Sequence, residues 1–202
     1  MQRIGLTGGI ASGKSAVAAL LREMGFPVLD ADSLSHKLME PGQPAYHEIL
    51  QEFGMDLAGP DRRLDRNKLA AIVFANPEKL AKLNAILHPR VEQMILQQFE
   101  EWERSGIHDA AFVEAALLVE AGMTENLDGL VVAWCRPEQQ PERLRKRGMS
   151  ENEAKQRIAA QLPLEEKLRY ATEQIDCSGS MEQTRAQVQA LAEKFRQSAP
   201  RK

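Results

Sequence analysis

Gly8-Gly9-Ile10-Ala11-Ser12-Gly13-Lys14-Ser15 is the stretch whose reading decides the fold. It has the form G-x-x-x-x-G-K-[ST], with a short apolar run before it and an amphipathic run after it. Glycines let main-chain N–H groups converge on an anion, and the positive end of the following helix adds to them. Lys14 is spaced to reach the outer phosphates of a nucleotide, and the Ser15 hydroxyl is spaced to meet magnesium. Gly8, Gly9, Ile10, Ala11, Ser12, Gly13, Lys14, Ser15 and Ala16 therefore form the candidate phosphate cradle.

Working outward, residues 4–7 read as a short buried strand. Val17, Leu20, Leu21 and Met24 fall at i, i+3, i+4 and i+7, one face of a helix that Gly25 should stop. Further strands are predicted at 28–30, 110–114 and 129–134, with a weaker one at 172–176. Between the second and third lie about eighty residues with helical signals, far more than an ordinary crossover uses, so a helical lobe is inserted there. In it, Leu80, Leu83, Asn84 and Leu87 form a stripe that should end at His88-Pro89, because proline disfavours helical geometry in the residue before it. Val91, Met94, Ile95, Phe99 and Trp102 then suggest a second helix. Ser150-Glu151-Asn152-Glu153 is a capping box. A final helix carries Val188, Leu191, Ala192 and Phe195 on one face, and 200–202 read as a frayed tail.

The expected fold is α/β: a P-loop core with a five-stranded parallel sheet flanked by helices, an inserted helical substrate lobe and a lid. The 202 residues suit one domain, with core segments 1–33, 108–135 and 164–202, the lobe at 34–107 and the lid at 136–163. Net charge is −3, so there is no overall basic field for a nucleic-acid backbone. No run approaches the ~18 apolar residues of a membrane span, and the start reads as a strand rather than a cleavable signal, so a cytoplasmic protein is expected. Cys135 and Cys177 lack the spacing of a zinc site or disulfide framework and read as buried structural residues.

Several side chains have the chemistry to act beside the cradle. Asp32 follows the second strand, whose carboxyl end shares an edge with the loop in a parallel sheet, and is placed to aim an acceptor hydroxyl. The alternative is an aspartate capping the next helix. Arg143 and Arg147 lie at i, i+4 in a basic run, either a clamp for polyphosphate oxygens or a solvated surface. Arg157 and Gln161 make a similar pair on the next helix. His88 with Pro89 reads as a cleft residue or a structural hydrogen-bonder, and Glu120 as a ligand-edge group or a structural carboxylate.

Taken together, the chain resembles the dephospho-coenzyme A kinase family from end to end. The matching segments are Leu6-Thr7-Gly8-Gly9-Ile10, Asp30-Ala31-Asp32, Glu40-Pro41-Gly42, Leu64-Asp65-Arg66, Phe74-Ala75-Asn76-Pro77, Leu87-His88-Pro89, Leu117-Leu118-Val119-Glu120 and Arg157-Ile158 with Gln161. The resemblance implies transfer of the ATP γ-phosphoryl group to the ribose 3′-hydroxyl of dephospho-coenzyme A, with Mg2+. It implies Asp32 at that hydroxyl, His88 in the substrate lobe, Arg143 and Arg147 in the lid, and Ser178-Gly179 near the adenine. Small-molecule substrates and a monomer are expected, with an oligomer left open. Ala16, Ala116, Thr172 and Cys177 depart from the residues usual in the family. Another small P-loop kinase, acting on a sugar acid, shikimate or a nucleoside monophosphate, is the nearest rival. A nucleotide-binding switch protein is the next.

Overall fold

The computed structural model describes residues 1–197, so the predicted tail at 200–202 lies outside the described residues. The elements run β1 (Gln2–Thr7), α1 (Lys14–Glu23), β2 (Val28–Asp30), α2 (Ala31–Leu38), α3 (Pro44–Phe53), a 3-10 turn (Met55–Leu57), α4 (Arg66–Phe74), α5 (Pro77–Ser105), β3 (Ala110–Glu114), β4 (Gly129–Trp134), α6 (Gln139–Lys146), α7 (Glu151–Ala159), α8 (Leu164–Leu168), β5 (Glu173–Asp176) and α9 (Met181–Gln197). They fall into two compact units, one built from 1–30 and 99 onward and the other from 31–98.

The first unit holds a five-stranded sheet in the order β2-β3-β1-β4-β5, with every pair parallel. Parallel strands are buried on both faces, and the sequence shows it: β3 is Ala-Ala-Phe-Val-Glu and buried throughout. Ile4, Leu6, Val131, Ala133, Ile175 and Cys177 pack with Val17, Leu21, Val188 and Leu191, so α1 and α9 share one core cluster with the sheet. Edge-to-face contacts tie Phe112 to both Phe26 and Phe195. All four residues predicted for the inner face of α9 are buried.

Gly25 stops α1 as its sequence suggests. Its φ of +88° puts it in left-handed geometry, Phe26 N–H donates to Leu21 O and Gly25 N–H to Arg22 O, the paired bonds of a Schellman ending. The capping box also forms: Glu153 N–H donates to Ser150 Oγ, and Ser150 N–H donates to Glu153 Oε2.

The second unit is helical. Tyr46, Ile49 and Leu50 of α3, Leu57, and Leu69 and Val73 of α4 are buried, and the Tyr46 hydroxyl donates to Arg62 O at 2.5 Å. Asp65 caps α4 by accepting from the N–H groups of Asn67 and Lys68.

The predicted break at His88-Pro89 is corrected. A single 29-residue helix, α5, runs through Pro89. Proline costs a helix about 3 kcal/mol by removing a donor and crowding the preceding turn. Here Leu87, Val91 and Ile95 continue one buried stripe across it, and the Arg90 guanidinium donates to Ile86 O at 2.5 Å within the disturbed turn. His88 is thus a helical residue, half-buried, and burial lowers its pKa from the ordinary 6.5.

Candidate active site

The phosphate loop leaves β1 at Thr7 and enters α1 at Lys14. Gly13, the N-cap residue, has φ +112°, and a Cβ there would lie 2.6 Å from the Cys177 Cβ, so the position requires glycine. Among the described residues no side chain caps α1, so its first N–H groups are left for an anion. Ala11 also adopts positive φ, at +59°, a costly geometry for a residue with a Cβ. Its carbonyl accepts from Arg143 Nη1 at 3.1 Å and faces the Cys135 thiol at 3.8 Å. Ser12 is 2% exposed, and its Oγ is buried without a hydrogen-bond partner among the described residues. Such an orphan hydroxyl fits a site that receives an oxygen-rich ligand.

Lys14 Nζ lies 2.8 Å from Glu114 Oε1, and Arg22 Nη2 lies 3.6 Å from Glu114 Oε2. Glu114 ends β3 in register with Leu6 and Asp30, which sets it at the carboxyl edge of the sheet, where the loop begins. It is 5% exposed, and its two cations offset that burial. Sequence reasoning did not single it out, although a lone carboxylate ending a wholly apolar strand was the available signal. Ser15 is exposed in the first turn of α1.

Arg143 and Arg147 part company. Arg143 turns inward and donates to the carbonyls of Ala11, Ser12 and Cys177, at 3.1, 3.2 and 2.6 Å, bracing the loop from its main-chain oxygens. Arg147 is the exposed C-cap residue of α6, beyond the last helical residue. The pairing of Arg157 with Gln161 on one helix is corrected as well. α7 ends at Ala159, ahead of Pro163, leaving Arg157 exposed and Gln161 in the turn. From there Gln161 Oε1 accepts the Ile10 N–H at 2.7 Å, while Gln140 Nε2 donates to Ile10 O at 2.8 Å. Gln140 was not foreseen, since one glutamine in a polar helix carries no signal.

Glu120 is an anchoring carboxylate. It pairs with the buried Lys167 at 2.8 Å and accepts from Leu162 N–H, and Lys167 also donates to Ala116 O at 2.6 Å. A small cleft opens among Gly9, Ser12, Gln140, Gln161, Cys135 and Lys167. Burial raises the Cys135 thiol and pushes that of Cys177 up to about 11, so both stay protonated as packing groups. Ser178 and Gly179 form the turn between β5 and α9. Ser178 Oγ accepts from Arg136 N–H at 3.0 Å, and Ser178 O accepts from Gln139 Nε2 at 2.9 Å. Thr172 bridges the N–H and carbonyl of Leu130 with one hydroxyl, which accounts for the residue found there.

Asp32 belongs to the 31–98 unit. It is exposed in the first turn of α2, two residues past the end of β2. α2 starts at Ala31, so Asp32 sits inside the helix rather than at its N-cap position, where the capping alternative would need it. His88 and Pro89 lie in α5 within the same unit, Pro89 exposed.

A protein from Carboxydothermus hydrogenoformans named dephospho-CoA kinase is 45% identical over 194 residues, covering 96% of this chain and 94% of the relative. A solved structure from Thermus thermophilus superposes with a TM-score of 0.80 at 36% identity, covering 95% of this chain and 97% of that one. The solved dephospho-CoA kinase from Campylobacter jejuni gives 0.73 at 29% identity, with 96% of both chains covered. A family model for dephospho-CoA kinase matches residues 2–183, and the chain belongs to that family.

Proposed function

We propose that this chain transfers the γ-phosphoryl group of ATP to the ribose 3′-hydroxyl of dephospho-coenzyme A, giving coenzyme A and ADP. The observation that carries the reading is the uncapped start of α1, with the buried, partnerless Ser12 hydroxyl before it and Lys14 held on Glu114 beside it. This is an anion cradle with a lysine beside it, in a chain of the dephospho-CoA kinase family.

The loop N–H groups and the α1 N-terminus bind phosphate oxygens. Lys14 trades one oxyanion, Glu114, for those of the terminal phosphates and so offsets charge that develops as the γ-group leaves. The Ser15 hydroxyl, exposed one residue after Lys14, is an oxygen donor of the kind a small hard cation would take. Ser15 would hold Mg2+ there, and the ion would supply charge neutralisation to the nucleotide phosphates.

Asp32 orients the acceptor hydroxyl and takes its proton late. A carboxylate is a weak base toward an alcohol, and a loose transition state asks for alignment before deprotonation. Its place just after β2 and its exposure in the first turn of α2 support this role. We assign the acceptor to the helical lobe at 34–107, including His88 and Pro89, and a lid role to 136–163, where the exposed Arg147 and Arg157 are available to phosphate. Arg143 acts differently from a phosphate clamp: it sets the shape of the loop. Ser178 and Gly179 are assigned to the adenine side. No helix among the described residues is long and apolar enough to cross a membrane. We place the reaction in the cytoplasm, with the chain acting as a monomer.

The test is an acceptor comparison with ATP and Mg2+. Dephospho-coenzyme A should turn over at rates ordinary for a kinase, on the order of 1–100 per second, with shikimate and gluconate inert. Turnover of a sugar acid without turnover of dephospho-coenzyme A would overturn the proposal.

A further inference from the structure

Two donors of the loop are held by acceptors from the protein itself. Lys14 Nζ rests on Glu114, and the Ile10 N–H rests on Gln161 Oε1 at 2.7 Å. A main-chain N–H satisfied by a carboxamide oxygen is well placed to be satisfied by a phosphate oxygen, because both acceptors need the same distance and approach. Gln161 is held in turn from behind. Its neighbour Leu162 donates its N–H to Glu120 Oε1, Glu120 pairs with Lys167, and Lys167 donates to Ala116 O just beyond β3. Lys167 is fully buried, so this anchor is costly to break. Gln140 completes the grip by donating to the Ile10 carbonyl. Gln161, Gln140, Gly9 and Ser12 all line the same cleft.

We propose that Gln161 is a latch displaced by nucleotide: its carboxamide oxygen holds the Ile10 N–H until a phosphate oxygen replaces it. The inference rests on the nucleotide reading of the loop and deepens it. The Glu120–Lys167 pair positions the latch. Displacement frees the turn at 160–163 from the loop, which links occupancy of the cradle to the α7–α8 segment. Gln161 is a positioning residue, and its effect belongs to ATP binding rather than to the acceptor.

Calorimetric titration of ATP with Mg2+ into wild-type protein, Gln161→Ala and Gln161→Glu tests the latch. In the alanine variant phosphate no longer competes with the carboxamide, so ATP should bind up to about fivefold more tightly, the equivalent of one ordinary hydrogen bond. In the glutamate variant a charged acceptor grips the same N–H more strongly and repels phosphate, so ATP should bind at least about tenfold more weakly. The ATP KM should follow the same two directions, with the KM for the acceptor unchanged. A residue that merely props the fold would weaken binding in both variants. Weaker binding in both, or a change below twofold in both, overturns the latch. Wild-type affinity for ATP separately tests the functional reading, since the latch fails on the split between variants in a protein that binds ATP.

Discussion

Removing the charge of Glu114 should loosen Lys14 and cost measurable stability. The energy can be bracketed from the structure. An exposed ion pair is worth about 0–1 kcal/mol, whereas stripping one partner from a buried pair costs about 3–5 kcal/mol. The Lys14 and Glu114 side chains are 13% and 7% exposed, which puts the pair near the buried case. Arg22 stands 3.6 Å from the other carboxylate oxygen and stays behind when Lys14 is changed, which lowers the figure. A coupling of about 2 kcal/mol follows, between the two limits. The assay is a double-mutant cycle in urea on wild type, Lys14→Met, Glu114→Gln and the double variant. Glu114→Gln alone leaves both Lys14 and Arg22 without their carboxylate and should lower Tm by at least about 4 °C, given the 2–4 °C per kcal/mol usual for chains of this size. Saturating ATP should shrink the coupling, because phosphate then competes for Lys14. A coupling below about 0.5 kcal/mol would place the pair in the surface class and refute the reasoning.

Three further outcomes are expected. Arg143→Ala removes the three hydrogen bonds to the carbonyls of Ala11, Ser12 and Cys177 and should weaken ATP binding by about tenfold; Arg143→Lys should fail to restore it, since a single ammonium cannot span the three acceptors of a forked guanidinium. His88 has a folded pKa below its ordinary value, so the unfolded chain takes up the proton first. Its contribution is present above about pH 6.5 and is lost as pH falls through that value toward its folded pKa, so urea midpoints at pH 7.5 and pH 5.5 should differ less in His88→Gln than in wild type. Asp32→Asn should lower kcat by orders of magnitude with little change in ATP affinity, and an equal loss of ATP binding would mean that the carboxylate serves the cradle instead.

The elements most legible in the sequence were those whose causes are local. Four of the strands were readable as apolar runs, Gly25 announced the end of α1, and Ser150 with Glu153 announced the start of α7. Pro89 misled for a physical reason: the cost of an interior proline is fixed, while the buried stripe from Leu87 to Ile95 that outweighs it is tertiary. At the loop, Lys14 was evident from spacing, but its partner Glu114 comes from a strand 100 residues away, and only the parallel register brings them together. The same holds for Arg143. Its basic neighbourhood reads as surface, yet its own side chain reaches the carbonyls of Ala11, Ser12 and Cys177. Gln161 was visible as a residue of interest, but its action on Ile10 depends on α7 ending two residues earlier.

Phosphorus NMR of the product formed from dephospho-coenzyme A and ATP labelled at the γ position is the most direct test of the account. The label should appear in a single new monoester on the ribose 3′-oxygen, with ADP released in equal amount. Label appearing only as inorganic phosphate, or on any other oxygen of the acceptor, would contradict it.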